Sequence, residues 1–159
     1  MKRLFTAILL LAALIFISNL ALAAGSVTQA IKNYPNGNMK TVTFSWTGDA
    51  SDGSVPSTAT NTAITTEIAG WYVYAIVTDP GAVPPTTLYD IVINDANGFD
   101  IAGGQLANRS ATVTERVIPK LDATASLYGG VLVDSTLTLV ITGQSVNSAT
   151  GTVKLMLSK

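Results

Sequence analysis

A chain of 159 residues with nine basic and ten acidic side chains, net charge −1, has material for one hydrophobic core but hardly for two. It contains no histidine and no cysteine, which excludes a Ser-His-Asp triad, a thiol nucleophile, an ordinary zinc site and any disulfide staple. No Lys/Arg cluster offsets the acidic balance, so no nucleic-acid partner is expected.

Lys2 and Arg3 precede an apolar run from Leu4 to Ile17, and Ala21 and Ala23 then stand at the small-residue positions a signal peptidase reads. This order predicts a cleavable secretory leader over residues 1–23 and one exported domain over 24–159. A retained membrane span is not expected, because turn-rich polar sequence and no basic stop-transfer cluster follows. The exported part keeps seven basic and ten acidic residues, net −3, and has no cysteine for lipid attachment. It is expected in the periplasm, on the cell surface or outside the cell.

Beyond the leader, short alternating runs of Thr, Val, Ile and Tyr are separated by Gly, Pro, Asn and Asp clusters, the pattern of an all-β protein. Ser26–Asn33 reads as a strand and Tyr34–Asn38 as a turn, because Asn-Gly accepts the positive φ of tight hairpins. Met39–Thr47 alternates Val42, Phe44 and Trp46 against Thr41, Thr43 and Ser45. The polar stretch Gly48–Thr62 reads as a long loop. Ala63–Thr78 reads as one strand, with Trp71, Val73, Ala75 and Val77 on one side and Tyr72, Tyr74 and Ile76 on the other.

Pro80, Pro84 and Pro85 mark a stiff connection. Leu88–Asn94 and Phe99–Ile101 then form a hairpin across Asp95-Ala96-Asn97-Gly98. Ala111–Ile118 reads as a strand, Leu121–Tyr128 as a short helical turn or irregular structure, and Thr136–Thr142 and Val153–Leu157 as a C-terminal pair. Seven or eight strands at this spacing predict a single antiparallel β-sandwich, jelly-roll or immunoglobulin-like.

No nucleotide or hydrolase motif is present, and no catalytic residue is assigned. Two carboxylate pairs have the residue types a glycosidase needs, Asp49 with Asp52 and Asp95 with Asp100, although Asp in such loops ordinarily caps turns. Asp95, Asn97 and Asp100 also have the opening spacing of a calcium loop without its distal bidentate Glu; calcium is the single cofactor this spacing admits, and no other is expected. Tyr72 and Tyr74, opposite the Trp71 side, are the aromatic pair suited to a glycan ring.

Three stretches carry a likeness to known proteins: Thr41–Thr47 with Asp52-Gly53-Ser54-Val55-Pro56, Leu88–Gly104, and Val133–Gly151. Together they resemble small β-sandwich proteins encoded among the structural genes of tailed bacteriophages and prophages. That resemblance implies a sandwich fold and a structural role in a virion, and it carries no functional residues. A virion protein needs no leader, so the leader departs from the pattern. The expectation is a non-enzymatic exported sandwich, structural or adhesive, whose partners are copies of itself or envelope components. A virion decoration protein and a carbohydrate-binding module are the alternatives.

Overall fold

The computed structural model describes residues 23–122 and 126–159. The expected leader, Ala23 apart, and the middle of the Leu121–Tyr128 turn lie outside those residues.

Strands β1 (Ser26–Asn33) and β2 (Met39–Thr47) form an antiparallel hairpin closed at Tyr34–Asn38, where Gly37 takes φ 70° and donates its N–H to the Tyr34 carbonyl. Residues 58–59 form a short β3, followed by one helix, α1 (Thr62–Ile68). Then come β4 (Tyr72–Pro80), β5 (Asp90–Asn94), β6 (Glu115–Val117), β7 (Val131–Leu132), β8 (Thr138–Thr142) and β9 (Thr150–Ser158).

The strands make two antiparallel sheets. The larger has the order β1-β2-β9-β4-β6, with β7 also on β4, and the smaller has the order β3-β8-β5. Their inner faces share one apolar core. Phe44 and Trp46 of β2, Val153, Leu155 and Leu157 of β9, and Val73 and Ile76 of β4 cluster with Ile91 and Ile93 of β5 and Leu139 and Ile141 of β8. Period-two burial along β5 (Ile91, Ile93), β8 (Leu139, Ile141) and β9 (151, 153, 155, 157) is the direct outcome of the alternation in the sequence. The fold is all-β, as expected.

Four local expectations are corrected. Thr62–Ile68 is helical although its β-branched residues favour strands. The Asn61 side chain caps the helix by accepting the Ile64 N–H at 2.9 Å, and Ile64 and Ile68, one turn apart, are buried. Core contact outweighs propensity here. The polar stretch before it is also not wholly exposed, since Val55 and Thr60 are buried.

In β4 a bulge makes Tyr74 an extra residue between the pairs Val73↔Leu157 and Ala75↔Met156. A bulge of one residue reverses the facing of everything beyond it. Ile76 is therefore fully buried and Val77 half-buried, the reverse of even alternation.

β8 and β9 are not a paired hairpin. β8 is the middle of the smaller sheet, while β9 lies between β2 and β4 in the larger. β9 is therefore no edge strand, and backbone pairing with another copy through Gly151–Leu157 is ruled out.

Candidate interaction surface

The outward face of the larger sheet follows from its register. One row across the sheet is Ala30, Thr43, Lys154, Val77 and Arg116; the row beside it is Thr28, Ser45, Thr152 and Asp79. Ser26, Thr47 and Thr150 complete a third row toward one end. The hydroxyls of the second and third rows, with Gly81, line a shallow depression of about 300 Å³. Hydroxyls beside each other on a sheet offer both donors and acceptors, the equipment for polar contact with another surface.

The opposite edge of this sheet is apolar. Tyr72 of β4 pairs across to Leu132 of β7, and both are about half exposed. Gly130 packs against the Tyr72 side chain, and Leu121 approaches Gly129. The Leu121 N–H donates to the Leu127 carbonyl, and Lys120 bridges to Tyr128. Tyr128 and Ile118, themselves about half exposed, line a second depression of about 400 Å³ with Arg116. Tyr72, Leu132, Leu121, Leu127, Tyr128 and Ile118 are all exposed apolar side chains on or close to β4, β6 and β7. Exposed apolar side chains gathered on one side of a domain mark candidate interaction sites.

Of the two tyrosines singled out in the sequence, Tyr72 belongs to this edge. Tyr74 is half-buried at the bulge, so the two do not form the evenly spaced pair that alternation predicts. Trp46 and Trp71 are both core residues. Trp71 is covered by the Lys40 ammonium, 4.6 Å from its ring, and Lys40 in turn reaches Glu67 at 3.2 Å. A hydrogen bond from Asn33 and then Lys40 hold the Glu67 carboxyl below its usual range. This latch ties α1 to the first hairpin.

The acidic residues are engaged by backbone N–H groups. Asp95 Oδ1 accepts from Asn97 N and Phe99 N, each at 2.8 Å. Asp100 accepts from Ala102 N at 3.0 Å and Gly104 N at 2.7 Å, and it bridges to Asn94 across the turn. Asp52 accepts from Ser54 N at 2.8 Å. Asp49 accepts from the N–H and hydroxyl of Ser51, which hold its carboxyl below the usual range, the hydroxyl foremost. Each side chain performs the turn capping that Asp does in a glycine-rich loop. Among the described residues no group of three acidic side chains is gathered around one point.

Sequence reasoning missed Gln144 and understated Arg109. Gln144 is buried, and its carboxamide joins three loops: Nε2 donates to Gly53 O at 2.7 Å and Val146 O at 2.8 Å, while Oε1 accepts from Thr86 N at 2.9 Å and Val146 N at 3.0 Å. Arg109 is buried beside Tyr89, donates to Ala107 O at 3.1 Å and stands 3.6 Å from Glu115. The sequence signal was weak in both cases, a lone polar residue in a polar loop.

No protein-family model matches this chain, and neither the curated proteins nor the solved structures contain a match to it. Among the described residues no helix is long and apolar enough to cross a membrane.

Proposed function

We propose that this chain is a non-enzymatic exported β-sandwich that works through its surface, as a structural or adhesive component of a cell envelope or an extracellular assembly. The observation that carries the reading is the set of exposed apolar side chains Tyr72, Leu132, Tyr128 and Ile118 on the β4, β6 and β7 side of the larger sheet, whose hydroxyl-bearing face lies toward the other end of the strands. A half-exposed apolar run loses water favourably against a partner, at roughly 25 cal/mol per Å² of apolar area covered. The hydroxyl rows toward the other end of the same sheet add directional polar contacts.

A virion surface protein is the second reading. It rests on the three stretches that resemble phage sandwich proteins, which here contribute β2, β5 and β8, strands of both sheets. The two readings differ in where the protein resides.

The experiment is to recover the protein from the cells that make it and to measure intact mass and light scattering on periplasmic, secreted, envelope and particle fractions. A species lacking residues 1–23 that self-assembles or stays with the envelope supports the structural reading. Recovery in phage particles selects the second. A monodisperse monomer with no affinity for cells, polymers or itself overturns both.

A further inference from the structure

We propose that the loop Gly48–Ser54 receives the amino terminus of the mature chain, and that the Asp49 carboxylate pairs with the α-ammonium group that leader removal creates on Ala24. The inference rests on the export reading above and adds a defined role for the processed end.

The contacts begin at the residues that flank the expected cleavage point. The Ala23 carbonyl accepts the Ala50 N–H at 3.0 Å. Gly25 is pressed against the same loop: a β-carbon there would overlap the Ser54 carbonyl oxygen and stand 3.1 Å from both Asp49 N and Pro56 Cδ. The loop itself is held firmly. Asp49 N–H donates to Ser54 O at 2.8 Å, Gly53 N–H donates to Asp49 O at 3.0 Å, and Ser148 N–H donates to Asp49 O at 3.1 Å. Gln144 fastens it from the other side through Gly53 O. The segment Ala23–Gly25 therefore docks on a pre-formed surface.

Asp49 is placed to recognise a cation there. Gly25 packs against the Asp49 backbone, the Asp49 side chain is held by Ser51, and neither of the ion pairs Lys40–Glu67 and Arg109–Glu115 uses its carboxylate. Hydrolysis of the Ala23–Ala24 peptide bond by a signal peptidase consumes one water. The C–N bond breaks, Ala23 leaves with the leader as a carboxylate, and the Ala24 nitrogen becomes an amine that takes a proton at neutral pH. That nitrogen lies between Ala23, whose carbonyl meets Ala50, and Gly25, which packs against Asp49, and consecutive residues are about 3.8 Å apart. Cleavage removes the carbonyl that accepts the Ala50 N–H, and the ammonium adds a different, charge-assisted contact by donating to the Asp49 carboxylate.

The opposite charge favours the protonated amine, so its pKa lies above the ordinary 7.7–8.0 of a free terminus. The stabilisation is complete below that ordinary range and is lost as pH rises through the raised value.

The test uses the mature chain recovered from producing cells. Intact mass and N-terminal sequencing establish where the chain begins. Reductive ¹³C-methylation, which preserves the charge, then allows NMR titration of the terminal amine in the folded protein, in the urea-unfolded protein and in Asp49→Asn. Asparagine retains an acceptor for Ser51, and circular dichroism reports whether that variant folds. We expect a chain starting at Ala24 whose amine titrates about half a unit higher folded than unfolded, with the difference abolished by Asp49→Asn and reduced in 1 M salt. A chain carrying one additional methionine before Ala24 displaces the charge without touching the loop and should lose the shift as well. A chain that starts at Ala24 but titrates alike folded and unfolded overturns the pairing and leaves the export reading intact. A leader cut at another bond overturns the Ala24–Asp49 pairing and leaves export standing, whereas an intact leader overturns both.

Discussion

Gly151 of β9 lies directly across from Trp46 of β2, and the indole fills the space where a β-carbon at 151 would stand, 2.6 Å from Cζ2 and 2.7 Å from Cε2. The largest core side chain of the hairpin is thus seated on the one residue of β9 that has no side chain. Gly151→Ala must move either the ring or the strand. Overpacking of this type typically costs about 1–3 kcal/mol, and urea denaturation should show a lower midpoint with an unchanged slope. An unchanged midpoint would mean the ring shifts freely.

Trp46 also packs on Tyr89, ring centroids 5.9 Å apart, and the Tyr89 hydroxyl is buried with no hydrogen-bond partner. Burial pushes its pKa up to about 12, with Arg109 opposing and Glu115 and Asp79 adding to the rise. A phenol that is harder to ionise when folded leaves stability intact below pH 10 and drains it between about pH 10 and 12, by at most about 1.4 kcal/mol per pH unit. Tyr89→Phe should be neutral or slightly stabilising at pH 7, because an unpaired hydroxyl is removed. It should also flatten the alkaline limb of a stability–pH profile measured by denaturant titration. A loss above about 1 kcal/mol at pH 7 would show that the hydroxyl has a partner in solution.

Replacing Gln144 should be costly even though no apolar contact is lost. Gln144→Leu keeps the volume but strips Gly53 O, Val146 N and Thr86 N of their partner; the buried Gly53 carbonyl left unpaired costs about 1–3 kcal/mol, and the part-buried Val146 and Thr86 amides less. Thermal unfolding should report a large fall in Tm. Hydrogen exchange should show faster exchange in the Gly48–Ser54 loop than in β5 or β8 if the damage is local.

The apolar edge makes the opposite prediction. Tyr72 and Leu132 are each about half exposed, so the double variant Tyr72→Ser, Leu132→Ser should change stability by only about 1 kcal/mol while abolishing envelope retention or self-assembly in sedimentation. Retained assembly would move the interface to another face. The same variant in a glycan-array assay distinguishes a sugar-binding role for Tyr72, which would appear as binding lost with the tyrosine.

Strand content was legible because alternation is a local code. Ser26–Asn33 and Met39–Thr47 are strands with those bounds, and the Val42, Phe44, Trp46 face is the buried one. The missing His and Cys were equally plain, and they removed whole classes of chemistry without any structure. Only the tertiary structure decided the rest. Thr62–Ile68 has strand-like composition, and burial of Ile64 and Ile68 made it a helix. An extra residue at Tyr74 reversed the facing of Ile76 and Val77, an event invisible in a pattern of continuous apolar residues.

The position of β9 between β2 and β4, and with it the assembly of the hydroxyl rows, depends on pairing residues far apart in the chain. So does the meeting of Tyr72 with Leu132, and of Ala23 with Ala50. The sequence by itself determined which stretches are strands and which chemistry is missing, because those follow from neighbours along the chain. The arrangement of the sheet faces and edges was settled by contacts between distant segments, whose choice depends on burying both sheets at once.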